Sequence, residues 1–159
     1  DHPGEMFLHS RLWEDPVPGN RVPFVPVDHD PPVDQLTDEF PIRLTTGRRL
    51  DSYNTGVQTA GYSSPLRRGE SLDISPEDAT SYGLGDGEVV RITSRRGTVD
   101  APIRIDESLR PGLTFMTMHF QDEVAVNLLT IDATDPKSGT AEFKATAIRI
   151  EKLEAAVSA

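Results

Sequence analysis

The chain has 159 residues, with 16 basic and 26 acidic side chains and a formal net charge of −10. That length supports one compact domain, with or without a tail, and lets it fold without a disulfide or metal staple. The acidity excludes a phosphate-backbone grip on DNA or RNA. The absence of cysteine excludes a disulfide scaffold, a zinc ribbon, an iron–sulfur ligand set and a thiol nucleophile.

No apolar run reaches the ~18 residues that a membrane-spanning helix needs. The sequence opens on Asp1 with no charged-then-apolar leader, as an excised piece or a processed chain would, and a cytoplasmic setting is expected.

Residues 1–40 hold nine acids against two arginines, whereas residues 41–159 come close to balance. Eight of the 13 prolines lie between Pro3 and Pro41. Each removes a backbone donor and pushes its predecessor toward extended geometry, so residues 1–40 read as a Pro-rich acidic arm or linker. Phe7, Leu8, Leu12, Trp13, Phe24 and Val25 favour an arm that packs along another surface, because linkers rarely carry such anchors.

From Pro41 the pattern turns strand-like. Phe40–Thr45 alternates and runs into Thr46-Gly47-Arg48, a first strand ending in a glycine turn. Leu72–Ser75 is a short second strand. Ser75-Pro76-Glu77-Asp78 then opens a helix, with a serine cap, proline at the first position and acids in the first turn, and Gly83 stops it. Glu88–Ser94 and Thr98–Ile105 form a hairpin whose exposed tip is Arg95-Arg96-Gly97. Leu113–Met118 and Lys144–Ile150 are further strands, and the residues from Glu151 onward read as a frayed tail. Gly47 and Gly97, if at positive φ, would tolerate alanine poorly. Scarce helix and closely spaced short strands are the mark of a small closed barrel.

Enzymatic chemistry is hard to find in the barrel. His2, His9 and His29 lie in the arm and His119 in the barrel, no serine sits in a nucleophile elbow, and no pair of histidines has metal-ligand spacing. Asp106-Glu107 and Asp122-Glu123 read as solvated turn acids rather than general acid/base pairs.

What the barrel does carry is anion-binding equipment. Thr45-Thr46-Gly47-Arg48-Arg49 puts hydroxyls, a glycine and two guanidiniums at a strand end, and Asn54-Thr55 and Gln58-Thr59 add uncharged donors and acceptors. On the residues alone, Arg48 reads first as an ordinary surface arginine, Lys144 as a strand lysine facing water and Asn127 as a turn amide.

The run Thr46-Gly47-Arg48-Arg49-Leu50-Asp51-Ser52-Tyr53-Asn54-Thr55 resembles the pterin-binding loop of the C-terminal domain in molybdenum or tungsten bis-(molybdopterin guanine dinucleotide) oxidoreductases. Ser75–Ala79 with Gly83 and Asp86-Gly87, Pro111-Gly112, Met116–Phe120, Asn127-x-x-Thr130 and Glu142-Phe143-Lys144 continue the resemblance in order, over about Phe40 to Leu153. Thr46–Asn54, His119-Phe120 and Asp132–Lys144 look most like formate dehydrogenase catalytic subunits, with nitrate reductases next by pattern.

The resemblance implies a mostly β fold: a six-stranded double-psi β-barrel over 41–153, with short helices, the extended arm before it and a tail over 154–159. It implies bis-(molybdopterin guanine dinucleotide) with molybdenum or tungsten as cofactor, shared with preceding catalytic domains of the same enzyme. That cofactor is contacted by Thr46, Gly47, Arg48, Arg49, Leu50, Asp51, Ser52, Tyr53, Asn54, Thr55, His119, Asn127 and Lys144. The implied reaction is two-electron oxidation of formate to carbon dioxide, with no catalytic or metal-ligating residue in this chain. One alternative is a stand-alone barrel that binds a protein or chaperones the cofactor. The other is a double-psi barrel of the transcription-regulator or ATPase-adaptor kind, which would have no use for Thr46-Gly47-Arg48, Asn127 and Lys144.

Overall fold

The computed structural model describes residues 25–49, 54 and 69–153. The chain divides into two units, Asp1–Asp30 and Pro31–Ala159. In the first, the described residues 25–30 are exposed coil, and the expected anchors Phe7, Leu8, Leu12, Trp13 and Phe24 lie outside the described residues.

The second unit is built on six strands: β1 (Ile42–Gly47), β2 (Leu72–Ile74), β3 (Val89–Ser94), β4 (Thr98–Ile105), β5 (Leu113–Thr117) and β6 (Thr146–Lys152). A short helix, α1 (Pro76–Ser81), follows β2, and a 3-10 turn spans Val126–Leu128. α1 starts where its sequence says it should: the Ser75 hydroxyl accepts the Asp78 N–H at 3.1 Å, and Gly83 leaves the helix at φ 63°.

β1, β3 and β4 bury alternate side chains. Ile42, Leu44 and Thr46 of β1, Val90, Ile92 and Ser94 of β3, and Val99, Ala101 and Ile103 of β4 point inward. With Leu72, Ile74, Met116, Leu129 and Ile148 they fill the interior.

The strands close into a barrel in the order β1-β5-β2-β4-β3-β6. β1 and β5 are parallel, as are β2 and β4, and the other neighbours are antiparallel. Exchanging β1, β2 and β3 with β4, β5 and β6 leaves every neighbour relation unchanged, so the barrel is two interlocked three-strand halves with crossed connections. This is the double-psi arrangement that the resemblance implies. Closure leaves no unpaired edge.

Three expectations need correction. The last strand starts at Thr146, not Lys144, and runs to Lys152, with Glu151 and Lys152 paired to Arg91 and Val90. These two residues do not fray, because the Lys152 ammonium meets Glu88 and the Gly83 carbonyl, each at 2.9 Å. Second, neither Gly47 nor Gly97 has positive φ. Both are glycine for lack of room: a Cβ at Gly47 would lie 3.0 Å from the Phe115 ring, and one at Gly97 would lie 2.7 Å from the Leu128 carbonyl oxygen. Third, the Arg95-Arg96 tip is engaged rather than free. Both guanidiniums bind the Asp34 carboxylate, whose side chain is only 2% exposed.

Asp34 also accepts the Ala147 N–H at 2.9 Å. The Arg43 guanidinium donates to the carbonyls of Asp34 and Ala145 at 2.7 and 2.9 Å. Residues 34–40 are thereby fixed against β6 and the β3–β4 hairpin, although the composition shift falls only after them. Burial by itself would raise the Asp34 carboxyl. Hydrogen bonds from Arg96 and Ala147, with the nearby positive charge of both arginines, outweigh it and hold the carboxyl below its ordinary range.

Candidate functional site: a concavity at the end of the first strand

The site begins where β1 stops. Thr46, inward on the strand, donates its hydroxyl to the Phe143 carbonyl at 3.0 Å and so ties the end of β1 to the segment before β6. Gly47 pairs with Thr117 of β5, and Arg48 follows as an exposed side chain. Arg49 turns back. Its guanidinium binds Asp73 on β2 and lies over the Phe115 ring, 5.5 Å from the centroid.

Asp73 is almost fully buried and is shared. Its carboxylate also accepts the Arg104 guanidinium, with the Nε bond at 2.8 Å, and the Ser71 hydroxyl at 2.8 Å. The hydrogen bond to Asp73 pushes the Arg104 guanidinium above its ordinary range against the opposing effect of burial. Three elements thus meet on one carboxylate directly beneath the loop that leaves β1.

His119, just past β5, is completely buried. Its Nε2 accepts the backbone N–H of Arg49 at 2.9 Å, and its Nδ1 bonds the backbone carbonyl of Asn54. Asn54 has φ 46°, a left-handed conformation that a non-glycine residue holds only where its surroundings fix it. Its side-chain oxygen Oδ1 is buried with no hydrogen-bond partner among the described residues.

Asn54 forms one wall of a concavity of about 550 Å³. The rest of the lining includes Met118 and Gln121 after β5, Asn127 and Thr130 around the 3-10 turn, and Ile131, Asp132 and Phe143 before β6. The polar lining is neutral amides, a hydroxyl and the Asp132 carboxylate around apolar side chains, which suits a flat polar heterocycle bearing N–H donors better than a free anion.

The turn that presents Asn127 is held by the β3–β4 hairpin. Arg96 donates twice to the Leu129 carbonyl, at 3.1 and 2.9 Å, and Gly97 lets the Leu128 backbone lie against it. The Thr130 hydroxyl closes the turn on the Asn127 carbonyl at 3.2 Å.

Of the residues implied by resemblance, Asn54 and Asn127 share the concavity. Thr46, Arg49 and His119 are not on its wall: the Thr46 hydroxyl and both His119 ring nitrogens are engaged, and Arg49 is held through its terminal guanidinium nitrogen while its Nε is buried without a partner among the described residues. Arg48 and Lys144 are exposed, and Lys144 itself is not on the wall, though its neighbour Phe143 is. Leu50, Asp51, Ser52, Tyr53 and Thr55 lie outside the described residues.

Sequence reasoning missed Arg96 as the support of the Asn127 turn, and it missed Gln121 and Ile131 in the wall. No local pattern marks them, because each matters only through a partner distant in sequence.

Comparisons with known proteins bear on this site. The chain is 38% identical, over 96% of its length, to the F420-dependent formate dehydrogenase 2 subunit alpha of Methanococcus maripaludis. It is 33% identical over 94% of its length to the assimilatory nitrate reductase catalytic subunit of Bacillus subtilis. It spans 22% and 21% of those two proteins, about a fifth of each. Acetylene hydratase from Pelobacter acetylenicus shares the fold over 72% of this chain and 19% of its own, with a TM-score of 0.60 at 16% identity. The molydopterin dinucleotide binding domain profile matches residues 42–147, the barrel from the first residue of β1 into β6. The chain therefore belongs to the molydopterin dinucleotide binding domain family, and membership implies the molybdopterin guanine dinucleotide cofactor, with molybdenum or tungsten, that these oxidoreductases use.

Proposed function

We propose that the chain is the cofactor-binding domain of a formate dehydrogenase-like enzyme that oxidises formate to carbon dioxide by two electrons. The observation that carries the binding role is the orphaned, buried Oδ1 of Asn54 at a wall shared with Asn127, an acceptor placed for a ligand N–H. The neutral amides and apolar faces fit a pterin or guanine ring. When bound, the cofactor supplies the electron-accepting chemistry.

The chain's own residues bind and orient. The side chains of Asn54 and Asn127 grip the rings, while Arg48 and Lys144, both exposed, are free to meet phosphate oxygens as a fork and a point charge. Met118, Ile131 and Phe143 exclude water from the ring faces. Thr46, Arg49 and His119 keep the loop in place. Catalytic domains elsewhere in the same polypeptide supply the reaction centre, in keeping with the fifth of its relatives' length that this chain spans.

Formate is supported by the 38% identity to the formate dehydrogenase subunit over 96% of the chain, where the nitrate reductases that also match reach 37% over 78% and 33% over 94%. The same reading places the enzyme in the cytoplasm. Among the described residues no helix is long and apolar enough to cross a membrane.

The test uses the intact polypeptide that carries this chain, purified with its cofactor and assayed for formate oxidation and nitrate reduction with artificial electron carriers, beside fractionation of the source cells. Formate turnover is expected. Nitrate reduction without formate turnover would replace the substrate, and a polypeptide free of molybdopterin would overturn the reading as a whole.

A further inference from the structure

We propose that His119 is a positioning residue: a neutral, Nδ1-protonated staple that joins Arg49 to Asn54 and acts on the cofactor through Asn54 without touching it. The proposal rests on the cofactor-binding reading for its consequence, though not for its geometry.

The hydrogen-bond partners decide the ring's state. The Arg49 N–H can only donate, so Nε2 must offer a lone pair. The Asn54 carbonyl can only accept, so Nδ1 must carry the hydrogen. One neutral tautomer satisfies both, and it leaves neither nitrogen for a ligand or a proton transfer. The ring is fully buried and is absent from the concavity wall, although its neighbour Met118 lines it.

The crossbar is itself braced. The His119 N–H reaches the Thr117 hydroxyl at 3.3 Å, and the Phe120 ring stands edge-on with centroids 6.3 Å apart. At the Arg49 end, Asp73 and the Phe115 ring hold the side chain. At the other end, the bond to the Asn54 carbonyl fixes a left-handed residue and with it the direction of Asn54 Oδ1. The staple therefore converts the rigidity of β5 into the placement of one acceptor.

The first measurement needs no variant. Nitrogen NMR of the intact polypeptide labelled at its histidine ring nitrogens should show, at neutral pH, one buried ring protonated at Nδ1 and bare at Nε2, a signal absent from H119Q. The opposite tautomer or a doubly protonated ring would overturn the proposal.

The second compares amide hydrogen exchange and extractable pterin in wild type and H119A. Exchange of the peptide covering residues 49–54 should quicken at least tenfold, the β3–β4 hairpin should be unchanged, and pterin content should fall severalfold. Unchanged exchange over 49–54, with or without pterin loss, overturns the staple, and pterin loss alone would mark His119 as a direct ligand. A loosened span with full pterin content overturns the action on the cofactor. If wild type itself carries no pterin, the functional reading fails, while the tautomer and exchange still judge the staple.

Discussion

Replacing Asp34 by alanine is expected to be among the most damaging single changes outside the apolar core. The carboxylate is 2% exposed and receives Arg95, Arg96 and the Ala147 N–H. The Ala147 donor belongs to a fully buried residue, and leaving it unpaired costs about 1–3 kcal/mol. The two guanidiniums are 35% and 24% exposed and recover part of their loss in water, so they add less than fully buried charges would. Together the effects place D34A at roughly 3–5 kcal/mol, the range for breaking a buried ion pair from one side. D34N, which keeps an acceptor for Ala147, should cost about 1–3 kcal/mol.

Urea unfolding followed by far-UV circular dichroism reads this as a fall in midpoint at constant slope. Acid supplies an independent check. The carboxyl is held below its ordinary value in the fold, so its stabilisation is complete above the unfolded value near ~4 and fades as pH drops through the lower folded one. Wild type and D34N should therefore differ at pH 7 and converge in strong acid. A loss under ~1 kcal/mol for D34A, or a gap that persists in strong acid, would refute the reasoning.

Further outcomes follow from the same contacts. G97A should destabilise by about 1–3 kcal/mol, because its Cβ meets the Leu128 backbone, and should lower pterin content through the Asn127 turn; equilibrium unfolding and pterin extraction read the two effects. S75A should cost about 0.5–2 kcal/mol through the lost cap on α1, measured by the same unfolding assay. R48A and K144A should each weaken cofactor retention by roughly 1–3 kcal/mol while unfolding stays within about 0.5 kcal/mol of wild type, since both side chains are exposed. N54A should lose pterin at a stability cost of about 1–2 kcal/mol, because alanine holds the left-handed φ of 46° less readily than asparagine; pterin extraction and equilibrium unfolding read the two effects.

Much of the barrel was legible because its signals are local. Alternation in Ile42–Thr46 and Val89–Ser94, the Ser75-Pro76 start and the Gly83 stop depend only on nearest neighbours, and the strands fell close to where they were expected. The end of β6 was missed because Glu151 and Lys152 look like a solvated tail until Glu88 and Gly83 are set beside them. Asp34 was grouped with a Pro-rich acidic stretch for the same reason: composition cannot reveal a carboxylate whose arginines lie some sixty residues away. In the candidate site, Asn54 and Asn127 were named by resemblance to a motif, and they share the concavity. The support from Arg96 and the engagement of Arg49 by Asp73 come from crossed connections that no window of sequence spans.

His119 holds its loop by main-chain atoms at both ends, the amide of Arg49 and the carbonyl of Asn54. Such a grip does not depend on the side-chain atoms of the two residues it holds. Side-chain changes at either anchor therefore leave both bonding groups chemically in place.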